Sequence, residues 1–312
     1  QNKIKRFILK LLNVYAYNKE TLNIENPNYL NQSKNIVKLN DKSFNFTQGY
    51  LDLSRKITKL DIFFRYAPNI NLWNSTERWK RIVPNINKEM LICVCLLSLK
   101  VSILKFLNNN DIKVNLHLIS DNSNDKFDEH IFNLMNDIKI EIFFHKSKIS
   151  GNRGSYLECC DQAENADDLI FFIEDDYLHF EPMLEEMIAS YERIASQINK
   201  DIFMCPADYP YLYMNNEKTN ILIGNKRHWR TINKSLCTFL TTKNLIDKYW
   251  DNFYQTCLDR HDPFEIYLNE IYKNEICISP LKSLSLHLTN INSSYGLSPF
   301  IDYKKLWDEN KI

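Results

Sequence analysis

Glycine is scarce in this chain of 312 residues: five occur, at Gly49, Gly151, Gly154, Gly224 and Gly296. Their spacing forms neither a G-x-G-x-x-G turn nor a P-loop, so nicotinamide-dependent and P-loop chemistries fall away. Net charge is missing too. Lys plus Arg and Asp plus Glu both number 39, which leaves no basic field to hold nucleic acid and argues against such a partner. The eight cysteines include no C-x-x-C pair, which disfavours a structural zinc. Cys93 and Cys95 fall in an apolar helix-like run and Cys159 and Cys160 are adjacent. That arrangement suits buried reduced thiols and favours a cytoplasmic location over a secretory lumen. Five N-x-[ST] sequons, at Asn31, Asn45, Asn74, Asn233 and Asn292, follow from the abundance of asparagine. No run of about 18 apolar residues is apparent, so no transmembrane segment is expected.

What is present suits one large domain, or one domain with an appendage: 44% of the residues are hydrophobic and 25% charged. Residues 1 to about 56 are Asn-rich and weakly periodic, and read as an N-terminal extension. Within it, Lys3 to Tyr17 mixes basic with apolar residues. This is either a packing helix with a solvated basic face or an amphipathic helix making peripheral contact with an anionic membrane. From residue 57 onward strand and helix signals alternate. Leu60 to Arg65 is a first strand, Asn87 to Leu107 a long apolar helix and Lys113 to Ser120 a second strand; Lys139 to His145 is a third strand and Gly154 to Ala166 a helix. Such βαβ punctuation implies a parallel sheet in an α/β fold, whose ligands gather at the carboxyl ends of strands.

The most informative stretch is Leu169 to Tyr177, an apolar strand that delivers Glu174, Asp175 and Asp176 at its end. Alternation puts Glu174 and Asp176 on one face and Asp175 on the other. Three neighbouring carboxylates repel one another, and a divalent cation reverses that cost. Mg2+ or Mn2+ needs only one or two protein carboxylates when substrate phosphates fill its other positions, and Asp176 is the first candidate ligand. The plain alternative is an acidic strand-to-helix turn with solvated carboxylates. After the triplet, Glu181-Pro182 opens a helix carrying Met183, Leu184, Met187, Ile188, Tyr191 and Ile194 at helical spacing.

The segment Ile173-Glu174-Asp175-Asp176-Tyr177-Leu178-His179-Phe180-Glu181-Pro182 resembles the Glu-Asp-Asp region of GT-A glycosyltransferases, locally that of the N-acetylglucosaminyltransferases of N-glycan processing. The strong part of the likeness covers about 25 residues, with a diffuse part from about Leu60 to His287. It implies a GT-A catalytic domain over 57–312, with a Rossmann-like, mostly parallel sheet flanked by helices, a donor half at about 57–180 and an acceptor half at about 181–312. It also implies a metal-dependent, inverting transfer from a nucleotide-diphosphate sugar, UDP-sugar favoured, to a hydroxyl acceptor such as a glycan. Two other readings stay open: a nucleotidyltransferase on a related fold and a non-catalytic sugar-nucleotide or glycan-binding module. The former normally brings a Gly-rich loop after the first strand, where this chain has Arg65-Tyr66-Ala67-Pro68-Asn69.

The candidate site residues follow. Arg65 and Arg153, at or just after strand ends, are candidates to hold base or diphosphate, or else pair with acidic neighbours. Asp121 stands where the resembling enzymes have an acidic residue that meets nucleobase or ribose; alternatively it closes an Asx turn. Glu174 and Asp175 join this donor-binding set. In the resembling enzymes a carboxylate at the start of a late helix removes the acceptor proton, which singles out Asp262 and Glu265 in Arg260-His261-Asp262-Pro263-Phe264-Glu265, with Asp262 as N-cap of a helix over Phe264 to Tyr272 and His261 a lesser candidate. His287, in a strand-like run, stands where many GT-A enzymes carry a late His that reaches the metal or diphosphate. Two further segments carry weaker signals. The rings of Tyr209-Pro210-Tyr211-Leu212-Tyr213 either stack on sugar or lid the core. Arg227-His228-Trp229-Arg230 either offers cations to phosphate or forms a surface hairpin.

Overall fold

The computed structural model describes residues 36–39, 42–45, 53–69, 86–213, 218–258, 264–289 and 301–311. The chain divides into two compact units, Gln1–Ser54 and Arg55–Ile312. In the first, β1 (Ile36–Leu39) and β2 (Lys42–Asn45) pair antiparallel. The segment Lys3 to Tyr17 lies outside the described residues.

The second unit is built on β3 (Lys59–Tyr66), β4 (Lys113–Ser120), β5 (Glu141–Lys146) and β6 (Leu169–Glu174), all parallel, in the order β5-β4-β3-β6. β6 is a near-continuous apolar run and β3 is apolar but for Lys59, Asp61 and Arg65, because helices cover both their faces, whereas β4 alternates Val114, Leu116 and Leu118 with Asn115 and His117. Even-numbered residues of β3 (Leu60, Ile62, Phe64, Tyr66) enter one core, while Phe63 enters the other. β11 (Phe239–Thr242) then pairs antiparallel with β6, and β8 (Phe203–Met204), β12 (Cys277–Pro280), β10 (His228–Ile232) and β9 (Ile221–Ile223) complete nine strands. By paired residues the sheet is mostly parallel. The architecture is that of a GT-A, Rossmann-like α/β fold. The chain leaves β3 toward β4 and β5 on one side and returns to its other side as β6, so the crevice between the ends of β3 and β6 is the topological switch point.

Helices α1 (Lys88–Leu107), α2 (Asp125–Met135) and α4 (Met183–Ile198) pack on one face of the sheet; α3 (Asn152–Ala163) and the later α5 (Lys243–Lys248), α6 (Trp250–Leu258) and α7 (Ile266–Ile271) pack on the other. α1 begins where the Asn87 side chain accepts from Met90 N. It corrects the expectation about apolar runs: with 20 residues and a mean hydropathy of 2.2 it is long and apolar enough to cross a membrane. Most of it is core, however, with Leu91, Ile92, Val94, Cys95, Leu96, Leu99 and Ile103 at 0–1% exposure. A short two-stranded sheet of β7 (Tyr177–His179) and β13 (Ser285–His287) lies against α1, and α8 (Tyr303–Asn310) also packs on that helix.

Other boundaries differ from expectation, among them α3, which spans Asn152–Ala163 rather than Gly154 to Ala166. β5 spans Glu141–Lys146 rather than Lys139 to His145, because Ile138 to Ile140 close a turn (Ile140 N to Ile138 O, 3.0 Å). The late helix spans Ile266–Ile271 with Glu265 at its N-cap, while Asp262, with Arg260, His261 and Pro263, lies outside the described residues. All eight cysteines are buried and unpaired.

Candidate active site

Glu174 ends β6 at the switch point, and the triplet turns from there into β7. Its carboxylates go three ways. Glu174 lies on the α3 side, beside Arg65, its register partner on β3, and takes Arg65 Nη2 at 2.5 Å. Asp175 points to the opposite side, where Oδ1 meets Lys88 Nζ of α1 at 2.5 Å and Oδ2 accepts from Ala67 N at 2.9 Å. Asp176 faces His287, Oδ2 to Nε2 3.2 Å, a contact made possible by β7–β13 pairing, which sets Tyr177 opposite His287. β6 ends at Glu174, so Asp175 and Asp176 are oriented by the turn between β6 and β7 rather than by the strand alternation read from sequence.

These contacts set the electrostatics. Burial opposes ionisation of Asp176, but the fields of His287 and Lys88 more than offset it and hold its pKa below the usual carboxylate range. Burial alone would depress His287; Asp176, with Glu174 and Glu265 further out, raises it above the ordinary imidazole value. Glu265, half-buried at the start of α7, is pushed up to about 7, first by burial and then by the charge of Glu174. Glu174, Asp176 and Glu265 thus all lie within electrostatic reach of His287.

Whether a divalent cation suits this site can be judged from its unmatched atoms. Asp176 Oδ1 and His287 Nδ1 are buried without a hydrogen-bond partner among the described residues. One carboxylate and one imidazole are suitable ligands for Mn2+ or Mg2+ whose other positions are filled by phosphate and water. Among the described residues no group of three His, Cys, Asp or Glu side chains forms a closed cage.

The other sequence candidates are more deeply engaged in the protein. Arg65 also donates to the Asn152 side chain and lies 5.5 Å from the Tyr156 ring centroid. Asp121 is buried and accepts from Gly151 N (2.9 Å) and Ser150 Oγ (3.1 Å), holding Gly151 at φ 100 where α3 begins. Arg153 reaches from α3 to the Leu258 carbonyl at 2.6 Å, on the wall of a cleft of about 520 Å3 that also holds Gly151, Tyr254 and Phe264. A second cleft, about 720 Å3, opens beside Glu265 and is lined by Tyr211, Ser235, Asn269, Tyr272 and Lys273 among others.

Two segments are largely internal supports. Tyr209 is buried with its hydroxyl 2.5 Å from that of Tyr177, whose ring stacks on His287 at 4.9 Å; Arg230 is buried against Asp208 at 2.8 Å under the Tyr213 ring. Lys88 is the site residue that sequence reasoning missed. Its signal was a lysine opening an otherwise apolar helix, at the end where the helix dipole disfavours a cation.

A family profile described as Glycosyl transferase family 2 matches residues 82–254, a span that takes in Lys88, Asp121, Arg153 and the acidic turn. Among curated proteins nothing matches. Among solved structures, S. aureus TarS is similar at 11% identity and a TM-score of 0.47, over 73% of this chain and 59% of that one. The 4-diphosphocytidyl-2C-methyl-D-erythritol synthase of Anaerococcus prevotii is similar at 10% identity and 0.41, over 73% and 91%. An active-site mutant of LgtC is similar at 11% and 0.40, over 70% and 71%. Scores below 0.5 carry no weight for activity, and none of these matches bears on the finer likeness to the N-glycan enzymes.

Proposed function

Because the chain belongs to glycosyl transferase family 2, we propose that it moves a sugar from a nucleotide-diphosphate sugar, UDP-sugar favoured, to a hydroxyl of a glycan acceptor, with inversion and with Mn2+ or Mg2+ as cofactor. The observation that carries the reading is the division of labour in the acidic turn. Two of its carboxylates already hold permanent cations, Arg65 and Lys88, and the third, Asp176, is left with His287 and a bare oxygen.

Asp176 and His287 would hold the cation, which when bound neutralises the departing diphosphate. Arg153 and the 520 Å3 cleft lie on the α3 side, where the donor half, about 57–180, would receive the nucleotide. Glu265 stands on the acceptor half, about 181–312, and takes the proton from the attacking hydroxyl. An ionisation near pH 7 suits a general base and supports Glu265 in that role, with Asp262 the other candidate. A single displacement by an activated hydroxyl, with no enzyme nucleophile beneath the sugar, inverts the anomeric configuration.

The test is to incubate the protein with Mn2+ and a panel of nucleotide sugars, follow nucleoside diphosphate release, and read the product's anomeric proton by NMR. Release from no donor would sink the transferase reading, and a retained configuration would sink the single displacement.

A further inference from the structure

We propose that Lys88 is a positioning residue for the metal-binding carboxylate, acting through Asp175; this rests on the reading that Asp176 holds a divalent cation. Lys88 touches neither Asp176 Oδ1 nor any candidate substrate surface, being 6% exposed. Its placement is costly twice over, since a lysine is rarely buried and a cation at a helix N-terminus opposes the macrodipole. Asp175, itself 8% exposed, compensates with a 2.5 Å contact.

The geometry gives that contact its purpose. Asp175 spends one oxygen on Lys88 and the other on Ala67 N, so the residue before Asp176 is tied at once to the start of α1 and the end of β3. On its far side Asp176 is tied by its own carbonyl, which accepts from Leu288 N at 2.8 Å. The turn is thus clamped on both flanks, and the direction of Asp176 Oδ1 is fixed between the clamps. Without Lys88, Asp175 becomes an unpaired anion beside Asp176, free to draw the turn toward the cation.

Mn2+ binding in the presence of UDP, read from the free-ion EPR signal, separates positioning from simple electrostatics. Removing a cation near the site should tighten Mn2+ binding if charge alone matters; loss of positioning weakens it. Lys88→Met is expected to bind Mn2+ about 10-fold more weakly, the cost typical of losing a group that orients a metal ligand, and Lys88→Arg to stay within about 3-fold of wild type. Should Lys88→Met fail to fold, Lys88→Met/Asp175→Asn removes the buried charge while keeping an acceptor for Ala67 N. It too should bind weakly, because the tie to α1 is gone. Unchanged or tighter Mn2+ binding in either folded variant overturns the proposal while leaving the metal reading intact. A wild type that binds no Mn2+ overturns both.

Discussion

Glu265→Gln tests the proposed base most directly, because the structure sets both its rate effect and its pH dependence. Burial and the neighbouring Glu174 charge raise Glu265 to about 7. A base works only when deprotonated, so its active fraction is about one tenth at pH 6, one half at pH 7 and nine tenths at pH 8. With saturating metal, kcat/KM should rise about fivefold from pH 6 to pH 7, approach a slope of about tenfold per unit below pH 6, and level off near pH 8. Glu265→Gln should abolish that rise and slow turnover by about 100-fold or more while donor affinity is kept. Stability should move as well. Between the ordinary value of 4.5 and about 7 the unfolded chain is ionised and the folded one is not, so the wild type loses stability as pH rises through that window. The shift corresponds to at most about 3 kcal/mol, and partial exposure brings it to about 1–2 kcal/mol. Glu265→Gln should therefore match the wild type in thermal unfolding at pH 4 and exceed it at pH 8. A rate profile that keeps its acid limb in the variant would refute the assignment and move the base to Asp262.

Asp176→Asn should lose metal-dependent UDP binding in calorimetry, and EDTA should then make no further difference; retained Mn2+-dependent binding would remove Asp176 from the metal. Gly154→Ala would put a Cβ 1.8 Å from the Ile149 carbonyl oxygen, so chemical denaturation should show a loss of about 2–3 kcal/mol, and a stable variant would mean that the 149–154 turn yields easily. Arg153→Ala breaks one exposed bond to the Leu258 carbonyl and should cost under about 0.5 kcal/mol of stability. Donor affinity in that variant should fall by about 1 kcal/mol or more, and an unchanged value would return Arg153 to a structural part.

The centre of the sheet was legible because β3 and β6 are buried on both faces. Strongly apolar stretches such as those within Lys59–Tyr66 and Leu169–Glu174 can hardly be anything else, and the acidic turn stands out at the end of one. Local pattern also placed Glu174 at the strand end with Asp175 and Asp176 just after it. What it missed was partnership across the chain. Arg230 looked like a phosphate ligand among basic neighbours, yet Asp208 and Tyr213 enclose it. Lys88 drew no notice because Asp175, its reason for being buried, is far away in sequence. Asp121 braces Gly151 at the start of α3, a contact between residues that lie 30 positions apart. β8 and β13, at two and three residues, are too short for periodicity to register.

The pairing of β7 with β13 has a consequence for how the protein comes into being. Asp176 emerges from the ribosome well before His287, and by then the parallel strands β3 to β6 are already available to associate. The nascent donor half can hence acquire its sheet while its central carboxylate still lacks its imidazole partner. Competence arrives late, with the strand that closes a long-range ladder, and such non-local contacts form slowly. A chain interrupted between β6 and β13 would carry Asp176 without His287, so the contact between the two forms only once that late strand has been made.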